Sequence, residues 1–194
     1  AIEAAHPEVR CYRYWPELSS DCRLMTKLLR DLTDYSMSDQ LTKQRSDLCN
    51  LLRRAYLSCL PLTEGTNKTL TYTSRVSCAY MPLDSPKMME ALLNLIVNAL
   101  DAVSDNGSVQ IILTKSNEQF VVSIIDDGCG IAPKQLLTIF HPFTTTKPDG
   151  TGLGLPVAKR IIEGHGGHIR VSSAPNQGAT FTFLLPCSFS SDKK

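Results

Sequence analysis

The chain has 194 residues, 42% of them hydrophobic, and a formal net charge of +1 at pH 7. This length suits one domain, or one domain with a short appendage, and the composition is ordinary for a globular protein. The near-neutral charge gives no reason to expect nucleic acid as a partner, and because no apolar run approaches roughly 18 residues, we expect no membrane contact by this chain.

The first predicted helix covers residues 16–37. Its apolar residues alternate at spacings of four and three, which is the a/d pattern of a seam between packed helices. Residues 1–5, "AIEAA", resemble the end of a preceding helix, and "HPEVRCYRYW" would connect the two. We expect the seam to pack against another helix, from this chain or from another. The seam residues are Leu18, Cys22, Met25, Leu29 and Leu32.

The rest of the chain contains both predicted helices and predicted strands. A helix over 46–60 precedes a strand at Thr69–Ser74, and Ser85 and Pro86 are typical of an N-cap and a first helical residue, opening a helix that ends near Val103. Strands that follow helices and are joined by short turns predict an α+β two-layer sandwich. The remaining predicted elements are strands at Val109–Thr114 and Gln119–Asp126, a helix at Pro156–Glu163 that stops at Gly164, and strands in "HIRVSS" and "GATFTFLLP".

The seven cysteines are scattered, odd in number and without a Cys-x-x-Cys pair. Several lie among apolar residues, where a reduced cysteine behaves as a small hydrophobic side chain. This usage favours a reduced, cytoplasmic protein over a disulfide framework or a zinc site.

The helix "SPKMMEALLNLIVNALDAV" carries a polar stripe at spacings of three and four. Asn94 and Asn98 lie one turn apart on this stripe, so their amide oxygens can address one ligand or a hydrated cation together. A solvated helix face is the alternative interpretation, although asparagine is a mediocre helix former. The stripe consists of Lys87, Glu90, Asn94, Asn98 and Asp101, and the predicted apolar face of Met89, Leu92, Leu93, Ile96, Leu100 and Val103.

A carboxylate ends the apolar row of the strand in "FVVSIIDDGCGI". Period-two alternation places Asp126 on the inward face, where a carboxylate needs a hydrogen-bond donor. Asp127 has the opposite parity and is expected to face outward. Gly128 and Gly130 allow the backbone to turn closely around the ligand of Asp126. An exocyclic amine such as that of adenine fits Asp126, whereas a plain Asp-Gly turn remains the alternative.

The stretch "HPFTTTKPDGTGLGL" places three glycines directly before a helix N-terminus. Free backbone N–H groups and the helix dipole favour an anion there. Lys147 adds a positive charge, and Thr144–Thr146 add hydroxyl groups. Glycine also makes the segment mobile, as a lid over a nucleotide needs to be. A flexible surface loop is the alternative, and the pattern is not the P-loop G-x-x-x-x-G-K-[ST].

In this order, the motifs resemble those of the catalytic, ATP-binding domain of two-component sensor histidine kinases, in the GHKL superfamily that they share with DNA gyrase, Hsp90 chaperones and MutL. "NLIVNALDA" looks like the N box, "DDGCG" and "GTGLGL" like the two glycine boxes, "FHPF" like the F box, and "GATFTF" like the strand whose threonine lies near adenine. The resemblance covers residues from about 46 to 186, and the lid is most similar to that of nitrogen-sensor kinases. It implies the Bergerat fold, an α+β two-layer sandwich with a mixed sheet covered on one face by helices.

The resemblance also implies roles. Asn98 would hold Mg²⁺ on the ATP phosphates with help from Asn94, Asp126 would accept from the adenine amine near Thr180, and Lys147 would steady the β- and γ-phosphates. Asn94, Asn98 and Lys147 are thus the expected catalytic residues. The full nucleotide-binding set that it implies is Asn98, Asp101, Asp126, Gly128, Gly130, Ile131, Phe143, Thr145, Thr146, Lys147, Gly150, Thr151, Gly152, Leu153, Gly154, Leu155 and Thr180.

By the same resemblance, residues 1–38 are a partial dimerisation and phosphoacceptor module and residues 39–194 the catalytic ATP-binding domain. The first helix of that module is reduced here to "AIEAA", and His6 is followed by proline, so the phosphoaccepting histidine is expected outside this chain. We expect this chain to bind ATP without phosphorylating itself. The full-length protein, whether or not it is anchored in a membrane, is expected to dimerise and to pass its phosphoryl group to a response regulator in the cytoplasm.

Two other functions stay open at this point. One is a non-catalytic ATP-binding signalling module. The other is a GHKL-type ATPase clamp, but such relatives carry a glutamate four residues before the metal-binding asparagine as the base for water. Asn94 occupies that position, and an amide cannot take the proton.

Overall fold

The computed structural model describes residues 12–22, 25–26, 41–147 and 150–187. Residues 15–22 and 25–26 are helical, and a 3-10 turn covers Leu60–Thr63. From residue 41 onward, the described strands are β1 (Gln44–Asp47), β2 (Thr69–Ser74), β3 (Tyr80–Leu83), β4 (Ser108–Ser116), β5 (Gln119–Asp126), β6 (His168–Ser173) and β7 (Ala179–Pro186), and the described α-helices are α1 (Leu48–Cys59), α2 (Ser85–Ala102), α3 (Pro133–Leu136) and α4 (Gly154–Gly164).

The main sheet has five strands in the order β2-β4-β5-β7-β6. β2 runs parallel to β4, and the other neighbours are antiparallel, so the sheet is mixed. β5 is the middle strand, and at its end Asp126 lies opposite Val109 of β4 and Ala179 of β7. β1 and β3 form a separate antiparallel pair.

The helices cover one face of this sheet. Every second residue of β4, β5 and β7 is buried, from Val109 to Leu113, from Phe120 to Asp126 and from Ala179 to Leu185. These rows form one core with the buried sides of α1, α2 and α4. The alternate residues of β5 and β7, which face the other side of the sheet, are mostly half-buried. The predicted α+β two-layer sandwich, with a mixed sheet covered on one face, is confirmed.

The helix predicted over 46–60 begins at Leu48, because the preceding residues pair with β3. Asp47 ends β1 and caps α1, since its Oδ1 accepts the N–H of Cys49 at 3.0 Å and the N–H of Ala79 at 2.9 Å. β1 and β3 have no counterpart in the sequence prediction. Each has only four residues, too few for an alternating pattern to stand out.

The start of α2 also differs from the prediction. Asp84, rather than Ser85, is the N-cap: its Oδ1 accepts the N–H of Lys87 at 3.1 Å. The buried side of the helix is rotated from the predicted apolar face, because small alanines pack inward while Met89 and Leu93 are only half-buried. The buried residues of α2 are Met88, Ala91, Leu92, Leu95, Ile96, Ala99 and Leu100.

The remaining differences are small. α4 begins at Gly154, two residues before the predicted start, and ends at Gly164 as predicted. The short α3 lies in a region without a predicted element. The cysteines of the described residues are free.

Part of the predicted first helix lies in the described residues, which are helical at 15–22 and 25–26, and there Leu18 and Met25 are exposed. The seam residues Leu29 and Leu32, the "AIEAA" segment and His6 lie outside the described residues, and the division into domains at residue 38 stays a prediction. Within the described helices, none is long and apolar enough to cross a membrane.

Candidate functional site

A cavity of about 1370 Å³ lies beside α2. It is bounded by the end of β5, the start of β7, the start of α4 and residues 144–147 and 150–153. Residues 141–147 and 150–153 are called the lid below. Most of the residues predicted for the site line this cavity. They are Asn94, Asn98, Asp101, Asp126, Gly130, Ile131, Thr145, Thr146, Lys147, Gly150, Thr151, Gly152, Leu153, Gly154 and Leu155. Two stretches that are far apart in the sequence, the α2 stripe and the glycine-rich lid, therefore meet in space.

Asp126 provides the acceptor on the sheet side of the cavity. Its side chain is buried, and its Oδ1 accepts the backbone N–H groups of Gly128 at 3.0 Å and Ala179 at 3.1 Å. Oδ2 accepts no hydrogen bond from the described residues. Burial raises the pKa of this carboxyl; the two N–H donors oppose that effect and the charge of Asp127 adds to it. A buried carboxylate with one oxygen without a donor is suited to bind a ligand N–H group.

Asp127 has a different environment. It is exposed, and its two oxygens accept the backbone N–H of Ser108 at 2.8 Å and the hydroxyl of Ser108 at 2.7 Å. These two hydrogen bonds lower the pKa of Asp127. The outward orientation predicted from strand alternation is confirmed, and this residue supports the turn before β4 without facing the cavity.

The turn after Asp126 is held tightly in place. Gly128 does not itself line the cavity; a Cβ there would collide with the carbonyl oxygen of Ala102 at the end of α2. Cys129 donates its backbone N–H to the same oxygen at 3.1 Å. Only glycine allows β5 and α2 to approach so closely, and this approach places Asp126 beside the polar stripe of α2.

A second loop braces this turn. The hydroxyl of Ser173 donates to the carbonyl of Gly178 at 2.6 Å and accepts the N–H of Ile131 at 2.8 Å. Gly178 in turn donates its N–H to the carbonyl of Gly128 at 3.0 Å. Ser173 was not predicted as a site residue because its partners are distant in sequence.

The polar stripe of α2 faces the cavity over about three turns. Glu90, Asn94, Asn98 and Asp101 all line it, and Lys87 forms an ion pair with Glu90 at 3.0 Å. The side chain of Asn94 lies against Gly154, where a Cβ would be 3.4 Å from the amide oxygen. The stripe is therefore a wall of the site rather than a solvated helix face.

Lys147 joins the lid to this wall. Its Nζ donates to Oδ1 of Asn98 at 2.9 Å and to Oδ2 of Asp101 at 2.7 Å. Amide and carboxylate oxygens are the ligands that Mg²⁺ prefers, and here they already attract a cationic group, so these residues fit a magnesium ion. The described residues contain no group of three or more His, Cys, Asp or Glu side chains that could hold a metal ion.

The base of the lid is a tight turn. Phe143 donates its backbone N–H to the carbonyl of Gly152 at 3.0 Å, and Gly152 has a φ of 67°. A Cβ at Gly152 would lie 2.5 Å from the carbonyl carbon of Phe143, so the turn requires glycine. α4 then begins without a side-chain N-cap, which leaves its first N–H groups available to an anion.

Besides Gly128, two residues of the predicted nucleotide-binding set do not line the cavity. The side chain of Phe143 is 62% exposed and does not line the cavity. Thr180 lies on the opposite face of β7, since Ala179 and Phe181 are the residues of that strand whose side chains are buried and line the cavity. Alternation along a strand makes it impossible for all three to face one side.

Several residues that line the cavity were not predicted. Leu93, Val97, Ile139 and Phe181 supply apolar surface suitable for a flat base. Leu93 was placed on the predicted apolar face of its helix, and the other three had no predicted role; a hydrophobic cavity lining and a core have the same pattern in sequence. The other unpredicted lining residues are Cys22, Thr26, Ala102, Cys129, Gln135, Val157 and Ala179, while Glu90 of the predicted stripe and Thr144 of the predicted anion site also line the cavity.

The chain is similar to known histidine kinases in sequence and in fold. The sensor kinase AtoS of Escherichia coli (strain K12) is 36% identical over 165 residues, which are 84% of this chain and 27% of AtoS. The catalytic domain of histidine kinase ThkA is 29% identical with a TM-score of 0.70, covering 76% of this chain and 97% of that domain. Full-length ShkA in complex with AMPPNP is 25% identical with a TM-score of 0.79, covering 89% of this chain and 38% of ShkA.

The family comparison agrees with the site geometry. Residues 83–188 match the family described as histidine kinase-, DNA gyrase B-, and HSP90-like ATPase. This stretch contains α2, the Asp126 turn, the lid and β7, which are the elements that bound the cavity. The chain spans 27% to 37% of the length of the curated sensor kinases that it matches. On this match the chain belongs to the histidine kinase-, DNA gyrase B-, and HSP90-like ATPase family, with the fold of a histidine kinase catalytic domain.

Proposed function

We propose that this chain is the catalytic domain of a sensor histidine kinase, which binds Mg·ATP in the cavity and transfers the γ-phosphoryl group to a histidine outside the chain. The observation that carries the proposal is the placement of Asp126. A buried carboxylate with one unengaged oxygen lies at one side of a cavity, while Asn98, Lys147 and the start of α4 lie at another. An adenine base and a phosphate chain require this separation of a hydrogen-bond acceptor from a cationic, N–H-rich region.

In the proposed complex, Asp126 accepts from the adenine amine through Oδ2, and the apolar lining packs on the base. Asn98, with Asn94 beside it, would hold Mg²⁺, and the bound ion would neutralise part of the phosphate charge. Lys147 and the N–H groups at the start of α4 orient the phosphates. Catalysis of phosphoryl transfer is mainly positioning and charge stabilisation, so the chain needs no covalent residue of its own.

Hydrolysis of ATP by a gyrase-like clamp is the weaker alternative. A base for water would have to lie near the γ-phosphate, and the position one turn before Asn98 holds Asn94, whose amide cannot accept that proton. Glu90 lies a further turn away and is paired with Lys87. Transfer to histidine is the better fit, because the acceptor's own neighbours can supply a base.

The wider assignments rest on the resemblance to sensor kinases. We infer that a response regulator is the next acceptor of the phosphoryl group, that the full-length protein works as a homodimer, and that this domain acts in the cytoplasm. The free cysteines of the described residues agree with a reducing compartment. The exposed positions Leu18 and Met25 leave apolar surface for a helix of the dimerisation module.

Calorimetric titration of Mg·ATP and Mg·ADP tests the nucleotide site. Asp126→Asn keeps the shape of the side chain but turns an N–H₂ group toward the adenine amine, because the oxygen stays with the two backbone donors. A hydrogen bond to a charged group is worth about 1.5–3 kcal/mol, so affinity should fall by about 10- to 150-fold. Asp127→Asn is the matched control and should bind nearly as the unmodified chain does, because Asp127 faces away from the cavity.

The metal role is tested with Asn98→Ala. This variant should lose most of the difference in affinity between titrations with Mg²⁺ and titrations with a chelator. Transfer is then measured with a separately supplied dimerisation domain of a related kinase, by following radiolabelled phosphate. Absence of nucleotide binding by the unmodified chain would refute the proposal, and binding without transfer would leave a signalling module that binds ATP.

A further inference from the structure

We propose that Lys147 and Asp101 form a latch that closes the lid over the nucleotide-free site by occupying the metal-binding oxygen of Asn98. This inference rests on the proposed function for the identity of the metal and the nucleotide. It assigns Asp101 a role as a positioning residue that acts on the lid lysine rather than on the substrate.

The contacts of Lys147 carry the argument. One ammonium group donates to the amide oxygen of Asn98 and to the carboxylate of Asp101, at 2.9 Å and 2.7 Å. Asn98 and Asp101 are three residues apart on α2 and therefore lie on the same side of that helix. The lysine reaches them from the lid, 46 and 49 residues further along the chain. The pair thus fixes a flexible segment to a rigid wall.

The lid backbone next to Lys147 is folded so as to present its side chain. The N–H of Lys147 donates to the hydroxyl of Thr145 at 3.1 Å, and its carbonyl accepts the N–H of Gly150 at 3.1 Å. At the base of the lid, Phe143 and Gly152 are joined by their backbone hydrogen bond. Release of Lys147 detaches the lid from α2, so these hydrogen bonds are expected to open more often and their N–H groups to exchange faster.

Lys147 and Mg²⁺ compete for the same place. An ammonium group on Oδ1 of Asn98 and a divalent cation on the same oxygen repel each other strongly at such short range. Binding of the metal with the nucleotide must therefore displace Lys147 from Asn98. Since the side chains of Lys147 and Asp101 are 42% and 50% exposed, their ion pair is weak enough to open readily. The released lysine is then next to the phosphates.

Hydrogen exchange of the lid amides, in the absence of nucleotide, tests the latch. Asp101→Asn and Lys147→Met should each speed exchange across the lid by about two- to five-fold, the range for an exposed ion pair. The double variant should exchange no faster than Lys147→Met alone, because that substitution already removes both contacts of the ammonium group. Asp101→Glu should restore slow exchange. The amides to follow are those of Phe143, Thr144, Lys147 and Gly150.

Glu163→Gln is the matched control, since Lys159 and Glu163 form a comparably exposed ion pair on α4. This variant should leave lid exchange unchanged. With saturating Mg·ADP, Asp101→Asn and the unmodified chain should exchange alike, because the latch is already open. Equal exchange without nucleotide, or a difference that persists with Mg·ADP, overturns the latch. The comparison without nucleotide does not depend on nucleotide binding, and the comparison with Mg·ADP is made once calorimetry has shown that both proteins bind it, so failure of the latch and failure of the proposed function are distinguishable.

Discussion

His165 gives the sharpest test of how this domain is held together. Its imidazole is buried, its Nε2 accepts the backbone N–H of Asp84 at 2.9 Å, and its Nδ1 lies 2.7 Å from the carbonyl of Ile161. The Asp84 donor requires a bare Nε2, so Nδ1 carries the proton and the ring is neutral. This histidine therefore joins the start of α2 to the end of α4.

The structure predicts that acid weakens this junction. Burial lowers the pKa of His165 and the charge of Lys43 adds to that effect, whereas the Ile161 carbonyl and Asp84 oppose it. The unfolded chain then binds a proton that the folded chain does not, so stability is complete above the ordinary value of 6.5 and is lost as pH falls below it. One pH unit below that value, the loss can be at most about 1.4 kcal/mol.

Urea unfolding at pH 7.5 and pH 5.5 measures this loss. His165→Gln removes the titrating group, so its stability should fall less between the two pH values than that of the unmodified chain. His168→Gln is the control, because it removes a histidine that is exposed on β6. Burial raises the pKa of Asp126, which makes stability fall as pH rises, but that contribution is common to all three proteins.

The size of the substitution effect is a second check. At pH 7.5, His165→Gln should cost about 1–3 kcal/mol, because the N–H of Asp84 loses a well-placed acceptor in a buried site. Equal pH dependence in the unmodified chain and in His165→Gln would refute the reasoning. It would mean that His165 is protonated, or freely solvated, in the folded protein.

Two further substitutions test the frame around the cavity. Gly128→Ala forces a methyl group against the carbonyl of Ala102, so β5 must move from α2; we expect a loss of about 2 kcal/mol or more in urea unfolding, and unchanged stability would contradict this close approach. Ser173→Ala leaves the N–H of Ile131 and the carbonyl of Gly178 without their hydroxyl partner. We expect about 1–3 kcal/mol lower stability and weaker Mg·ATP binding by calorimetry, whereas normal binding would show that the brace does not position the turn.

Much of the site could be predicted because two geometric rules act locally. Alternation along β5 requires Asp126 to share a side with Phe120, Val122 and Ile124, whatever the rest of the fold is. The 3.6-residue period of a helix likewise requires Asn94 and Asn98 to share a side. Neither inference depends on a contact between distant parts of the chain, and the structure agrees with both.

The same rule explains the error at Thr180. In "GATFTFLLP" the buried row is Ala179, Phe181, Phe183 and Leu185, so alternation alone places Thr180 on the other face. The prediction instead followed the resemblance to a motif whose threonine lies near adenine. At this position the local pattern of the strand was a better guide than the motif.

Other features depend on tertiary contacts that no local pattern contains. β1 is a strand because residues 44–47 pair with residues 80–83, more than 30 residues further along. The buried side of α2 differs from the predicted one because part of its apolar surface faces the core and part faces the cavity. Residues that face the core and residues that line the cavity have the same apolar pattern in sequence. His165 and Ser173 act through partners that only the fold brings near.

The position of β7 has a consequence for the order in which the domain can become functional. The N–H of Ala179 and the loop before it complete the surroundings of Asp126, yet they follow α2, β5 and the lid in the sequence. A ribosome synthesises the chain from its N-terminus, so the other elements around the cavity are made before β7. ATP can therefore bind only after β7, which lies between β5 and β6 in the sheet, has emerged and paired with β5. Before that point, ATP cannot assist the folding of the growing chain.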